Sequence, residues 1–243
     1  MLVLAKLWNN SLIFAGNELG KLGVIEYVER PALAPMKISQ KEIIGRDGVL
    51  YKTKNFEPLY ITVKIRQFNN ITRNIDDIIF DLMELVHSKT LAPLNYKNKR
   101  TWYDAVLVDI QNFEKFRQRM AYLELVFMAP DPLARSKDRY KTESFTSKEI
   151  NMATSLGTKG IFTFTGSSNK ITNMRTGEFI EILSGSSSKF VIDCEKEVVR
   201  IGSNRAMDRL NVYSDFFEIK SGDTIKATSP VTLEYYERYL YDR

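Results

Sequence analysis

The chain has 243 residues, 44% hydrophobic and 27% charged, which supplies core material for one large or two ordinary domains and excludes a disordered segment. One cysteine, Cys194, excludes an internal disulfide, and a single histidine, His87, puts the usual zinc ligand sets out of reach within one chain. The net charge of +5 divides as 18 basic against 14 acidic residues up to residue 130 and 17 against 16 beyond it, too mild and too interspersed for a dedicated nucleic-acid-binding face.

In chain order, residues 2–7 and 22–28 read as strands. The apolar part of the opening segment is too short for a secretory signal. No stretch reaches the ~18 apolar residues of a membrane span. With no disulfide to stabilise it, the chain is expected to be made in the cytosol and to leave it only within a larger particle. Residues 59–66 give the clearest strand: Leu59, Ile61, Val63 and Ile65 alternate with Tyr60, Thr62, Lys64 and Arg66, so one face meets a core and the other meets water. Next, Ile75, Ile78, Ile79, Leu82, Leu85 and Val86 recur at helical spacing. Asn74 stands as an N-cap, and Asp76 and Asp77 lie in the first turn, where the helix dipole favours negative charge. The spacing predicts an amphipathic helix over 74–87 covering one sheet face. Weaker alternation predicts strands over 103–110 and 121–128.

Residues 129–145 are polar and aperiodic after Ala129-Pro-Asp-Pro132, and proline removes backbone donors, so the sheet is expected to stop here. The domain boundary is placed at residue 133, giving domains 1–133 and 134–243. The second part reads as seven short strands, at 161–165, 179–183, 190–192, 198–201, 216–220, 224–227 and 231–236. Asn173–Gly177 and Ser221–Asp223 are the tight turns. The fold class is therefore mainly β: a sheet domain with one covering helix, then an antiparallel β-sandwich.

Several segments in order resemble the distal tail protein (Dit) family of long-tailed bacteriophages. Arg30-Pro-Ala-Leu-Ala-Pro35 is followed by Ile43-Ile-Gly-Arg-Asp-Gly48 and the Leu59–Ile65 strand. After the helix come Leu94-Asn-Tyr96, Tyr103-Asp-Ala-Val106 and Phe127-Met-Ala-Pro-Asp-Pro132. The second part adds Leu156-Gly-Thr158, Ile161-Phe-Thr-Phe-Thr-Gly166, Thr176-Gly-Glu178, Val191-Ile-Asp193, Tyr213-Ser-Asp-Phe-Phe217 and Ser221-Gly-Asp-Thr-Ile225. Each is only a turn plus a strand, and it is their order along the chain that carries the resemblance. The chain departs from the family pattern at Ile44, where proline is common, at Ala129, where cysteine is common, and near the helix end, which lacks a tryptophan.

The resemblance implies a structural component of the virion tail tip, assembled in the host cytoplasm. An N-terminal belt domain would form a homohexameric ring, and a galectin-like sandwich would follow it. The ring would join the tail tube protein to the baseplate and tail-associated lysin, leaving a channel for DNA that is not specifically bound. No membrane, cofactor or enzymatic activity is implied. A closed ring needs a heterologous interface, which exposed strand edges supply. A carbohydrate-binding module touching the host envelope is the alternative reading.

Individual residues carry two readings each. Gly45, Arg46, Asp47 and Gly48 form a possible subunit-contact turn, or a surface turn whose glycines supply positive φ. The second outranks the first because surface ion pairs contribute only ~0–1 kcal/mol. Lys97, Lys99 and Arg100, and then Arg135, Lys137, Arg139 and Lys141, either line a lumen or are solvated loops. Tyr235, Tyr236, Tyr239 and Tyr241 could stack on sugar rings, although Tyr235 shares a face with Val231 and Leu233 and so suits a core. His87 suits a helix C-terminus. Glu178, Glu181, Asp193, Glu195 and Glu197 are expected on a wet face rather than as an acid–base pair. Asp76 and Asp77, adjacent on a helix, point apart.

Overall fold

A computed structural model describes residues 12–21, 23–42, 47, 49–68, 75–97, 99–116 and 120–241. The chain divides into two compact units: one runs to Arg135 and includes the last residues from Leu240, and the other is Ser136–Tyr239.

The first unit contains β1 (Leu12–Phe14), β2 (Asn17–Glu18), β3 (Val24–Glu29), β4 (Met36–Glu42), β5 (Val49–Phe56), β6 (Leu59–Phe68), α1 (Ile75–Val86), β7 (Ala92–Tyr96), β8 (Thr101–Phe116) and β9 (Met120–Ala129). An antiparallel sheet runs β2-β1-β7-β8-β9-β6-β3. Its middle follows the alternation in the sequence. Leu59, Ile61, Val63 and Ile65 of β6 are buried, as are Ala121, Leu123, Leu125 and Phe127 of β9, which pairs with it along ten residues. The rings of Phe14 and Phe127 meet 4.9 Å apart in this core. The helix occupies its expected span and buries Leu82 and Val86 while exposing Asp76, Asp77 and Phe80. Asn74 and the 2–7 strand lie outside the described residues.

β4 and β5 were not anticipated. They form a separate two-stranded ribbon that pairs with no other strand among the described residues. Nor does β8 end where its alternation ends. It continues to Phe116 through register shifts between Leu107 and Asp109 and between Gln111 and Glu114, with Asn112 at φ 49°.

The second unit holds the strands after β9. β10 (Ala134–Ser136) spans the division, followed by β11 (Tyr140–Lys141), β12 (Phe145–Glu149), β13 (Ile161–Gly166), β14 (Asn169–Asn173), β15 (Phe179–Ile182), β16 (Ser188–Asp193), β17 (Val198–Ile201), β18 (Asn204–Arg205), β19 (Thr224–Tyr235) and β20 (Arg238–Tyr239). β9 ends at Ala129, where the stop is expected, but the polar segment that follows is not free of strands: β10 and β11 lie within it, after a turn in which Asp131 accepts from the Leu133 amide.

The main path is β15-β14-β19-β13-β16-β17-β18, with β11 and β12 on the other edge of β19. The two strands expected at 224–227 and 231–236 are one strand, β19. Its first part pairs with β14 and its second with β13. Between them Pro230 offers no ladder donor. The buried Asn169 side chain stands in for a partner strand: its amide donates to the Ser229 carbonyl at 3.1 Å, and its oxygen accepts from the Ser229 amide at 3.0 Å and from Thr228 Oγ1 at 2.9 Å. Ile171, Ile180, Ile182 and Ile225 from one side of this junction and Phe162, Phe164, Phe190, Val231 and Leu233 from the other share a single core, so the sheet folds over on itself as a sandwich. Phe164 and Phe190 stack at 5.0 Å.

The expected strand at 216–220 is also corrected. Phe217 and Ile219 are buried as the alternation implies, but the segment forms only an isolated bridge, Ile219 with Thr158. The two turns are in place, with Gly177 at φ 79° and Gly222 at φ 87°, a backbone region where a side chain is strained.

Candidate functional site

Two kinds of surface stand out: exposed apolar residues in the first unit and a polar groove in the second. In the first unit, β8 pairs with β7 only as far as Ala105. Past that point it exposes Val108, Ile110 and Phe113, the last at 51%. The ribbon of β4 and β5 exposes Ile38 (56%) and Phe56. Isolated two-stranded ribbons are marginal in water, and a run of exposed apolar side chains on strands is a site for another surface to cover.

In the second unit a groove of about 480 Å³ opens on the outer face of β11, β13, β16 and β19. It follows from strand alternation: Phe162, Phe164, Phe190, Val231 and Leu233 point into the core, so Thr163, Thr165, Lys189, Thr232 and Glu234 point out. Register sets Thr165 opposite Lys189 and Thr163 opposite Thr232. Glu234 pairs with Lys141 at 3.1 Å and Arg139 at 3.0 Å.

The residues singled out by sequence are dispersed. Of the possible contact turn, Asp47 is exposed, and Gly45, Arg46 and Gly48 lie outside the described residues. Each basic cluster is paired with carboxylates in part. Lys97 pairs with Glu18 at 2.9 Å, Arg135 with Asp104 at 3.1 Å, and Arg139 and Lys141 with Glu234. His87 is exposed, its backbone amide closing the helix onto the Met83 carbonyl at 2.9 Å.

The carboxylates expected on a wet face serve turns and pairs. Asp193 accepts from the amides of Glu195 and Lys196, Glu197 pairs with Lys159 at 3.0 Å, and Glu181 accepts from Asn211. Tyr235 is buried and stacks on Tyr140 at 5.5 Å, Arg139 lies over the ring of Tyr236, Tyr239 donates to Glu237, and Arg30 lies over Tyr241. Burial pushes the Cys194 thiol up to about 12. No group of three or more His, Cys, Asp or Glu among the described residues could hold a metal ion, and no described helix is long and apolar enough to cross a membrane.

Sequence reasoning missed a cluster at Asp223, whose fully buried carboxylate accepts from Asn173, Arg175 and the Lys220 amide. Its signal was the pairing of two turns, Asn173–Gly177 and Ser221–Asp223, each read singly.

Residues 151–239 match the family profile described as siphovirus-type tail component, C-terminal domain. The matched segment lies within the second unit. Beyond this segment the likeness is one of fold, and it spans nearly the whole chain. The crystal structure of the Dit protein of phage SPP1, described as a paradigm of the hub adsorption apparatus in Gram-positive infecting phages, aligns with a TM-score of 0.79 at 17% identity, covering 95% of this chain and 99% of that one. The phage P2 baseplate in its activated conformation with calcium aligns at 0.53 and 9% identity, covering 88% of this chain and 91% of that one. Its strontium form aligns at 0.52 with the same identity and coverage. No curated protein matches the chain. The Dit fold is thus present over nearly the whole chain, as the sequence reading expected.

Proposed function

We propose that this chain is a phage tail component, a homohexameric hub with residues 1–133 as the ring-forming belt and 134–243 as a galectin-like domain. The ring joins the tail tube to the baseplate and its tail-associated lysin, and leaves a channel through which DNA passes without specific binding. It is assembled in the host cytoplasm and carried at the virion tail tip, and it has no enzymatic role.

The observation that carries this reading is the fold match to the SPP1 Dit protein over 95% of the chain. The surfaces of the first unit support it: an isolated ribbon and an apolar stretch of β8 offer two different patches, as a heterologous closed ring requires. The pairing of Lys97, Arg135, Arg139 and Lys141 with carboxylates suits a conduit, since each phosphate contact strengthens DNA binding through counterion release and would slow transit. The alternative, a carbohydrate-binding module, gains little from the tyrosines, none of which lines the groove.

Light scattering of the purified chain, alone and with its tail tube protein, tests the hub. The expected mass is six times 28.1 kDa, with annular particles in negative stain. A monomer under both conditions overturns the reading.

A further inference from the structure

The outer groove of the second unit has a chemistry that ring assembly does not use. We propose that it binds an oxyanion, a phosphate either free or esterified to a hydroxylated molecule, held by Lys189 with the hydroxyls of Thr163 and Thr165.

The groove's volume of about 480 Å³ falls in the range of small-ligand sites, roughly 300–1,000 Å³. Its charge is uneven. Glu234, the one carboxylate lining it, is engaged by both Arg139 and Lys141. Lys189 lies on the other side of β13 and has no ion pair among the described residues, so its ammonium retains its donors. Directly across the strand pair stands Thr165, and Thr163 follows two residues along on the same face. Opposed side chains on neighbouring strands lie within ~4.5–5.5 Å at Cβ. One ammonium and two hydroxyls therefore converge on a patch held by a paired sheet, while the Thr232 hydroxyl donates its proton to the Thr163 carbonyl at 3.3 Å and is no donor to the site.

Hydrogen bonds from an ammonium to an anionic oxygen are shorter and stronger than neutral ones, and hydroxyl donors supplement them around a tetrahedral anion. An aromatic-stacked neutral sugar would need an exposed ring at the groove wall. The one aromatic residue lining it, Phe164, is buried with its ring on Phe190.

Isothermal titration of the full chain with inorganic phosphate, glycerol phosphate and glycerol tests the site. Saturable binding of a phosphate and none of glycerol is expected. Tighter binding of glycerol phosphate than of inorganic phosphate identifies an esterified source, and equal binding identifies the free anion. Lys189→Glu should weaken binding at least tenfold and Thr165→Val several-fold, both on exposed strand positions that keep the fold. Lys196→Glu, outside the groove, should leave binding unchanged. Glycerol binding as tightly as its phosphate, no saturable phosphate binding, or an unaffected Lys189→Glu variant would overturn the proposal.

Discussion

At Asp223 a carboxylate with no exposed surface receives the Asn173 amide at 2.8 Å, the Lys220 backbone amide at 2.9 Å and two donors of Arg175. Burial alone would raise its pKa. The donors from Arg175, Lys220 and Asn173 outweigh burial and hold the carboxyl below the usual carboxylate range. Because the folded value is depressed, the ionised group stabilises fully above the unfolded value of ~4 and loses that contribution as pH falls through the folded one. Asp223→Asn should therefore cost about 1–3 kcal/mol at neutral pH, from donors left facing an amide. Its stability should fall less than that of the parent below ~pH 4, and urea melts across pH read both effects. An identical acid limb in both proteins would refute the assignment. Cys194 gives a second residue-scale expectation. With its thiol pushed up to about 12 by burial, it is neutral and enclosed in the native state, so alkylation by iodoacetamide at pH 8 should await unfolding. Rapid labelling of the folded chain would contradict this.

At the scale of elements, β19 shows what a sequence pattern conveys and what it conceals. Its two apolar stretches were legible, but Pro230 made them read as separate strands, because the device that spans the break is a side chain from β14, Asn169. That strand was itself unread: Asn169-Lys-Ile-Thr-Asn173 has one aliphatic side chain, and its two asparagines are buried by hydrogen bonding rather than by apolarity. β6 was legible along its length because its period-two pattern is unbroken. Past Ile110, β8 was not, since a register shift turns the following side chains to the opposite face. The groove was illegible for a related reason. Lys189, Thr163 and Thr232 are ordinary outward residues on separate strands, and only register brings them together. Asn169→Ala should leave the Ser229 backbone groups unsatisfied inside the fold, costing about 1–3 kcal/mol in a denaturant melt. Phe162→Ala, emptying a fully buried site, should cost ~3–5 kcal/mol. Equal losses would argue that the Asn169 bridge does more than satisfy two backbone groups.

At the scale of the whole molecule, assembly and folding should separate by mutation. Phe113 and Ile38 are exposed in the single chain and lie on different elements, β8 and the β4–β5 ribbon. Replacing either with glutamate touches no core and should change chain stability by no more than roughly 0.5 kcal/mol. In a closed ring the same change recurs at every interface, and a buried charge without a partner costs several kcal/mol at each. Under the proposed hub, Phe113→Glu and Ile38→Glu should each give a folded monomer at concentrations where the unaltered chain assembles. A heterologous contact adds a sharper expectation, because each interface uses one patch from each neighbour. Mixing a variant altered in one patch with a variant altered in the other restores a single intact interface and should yield dimers in light scattering, without rings. Rings from either variant alone would place the subunit contact elsewhere on the first unit.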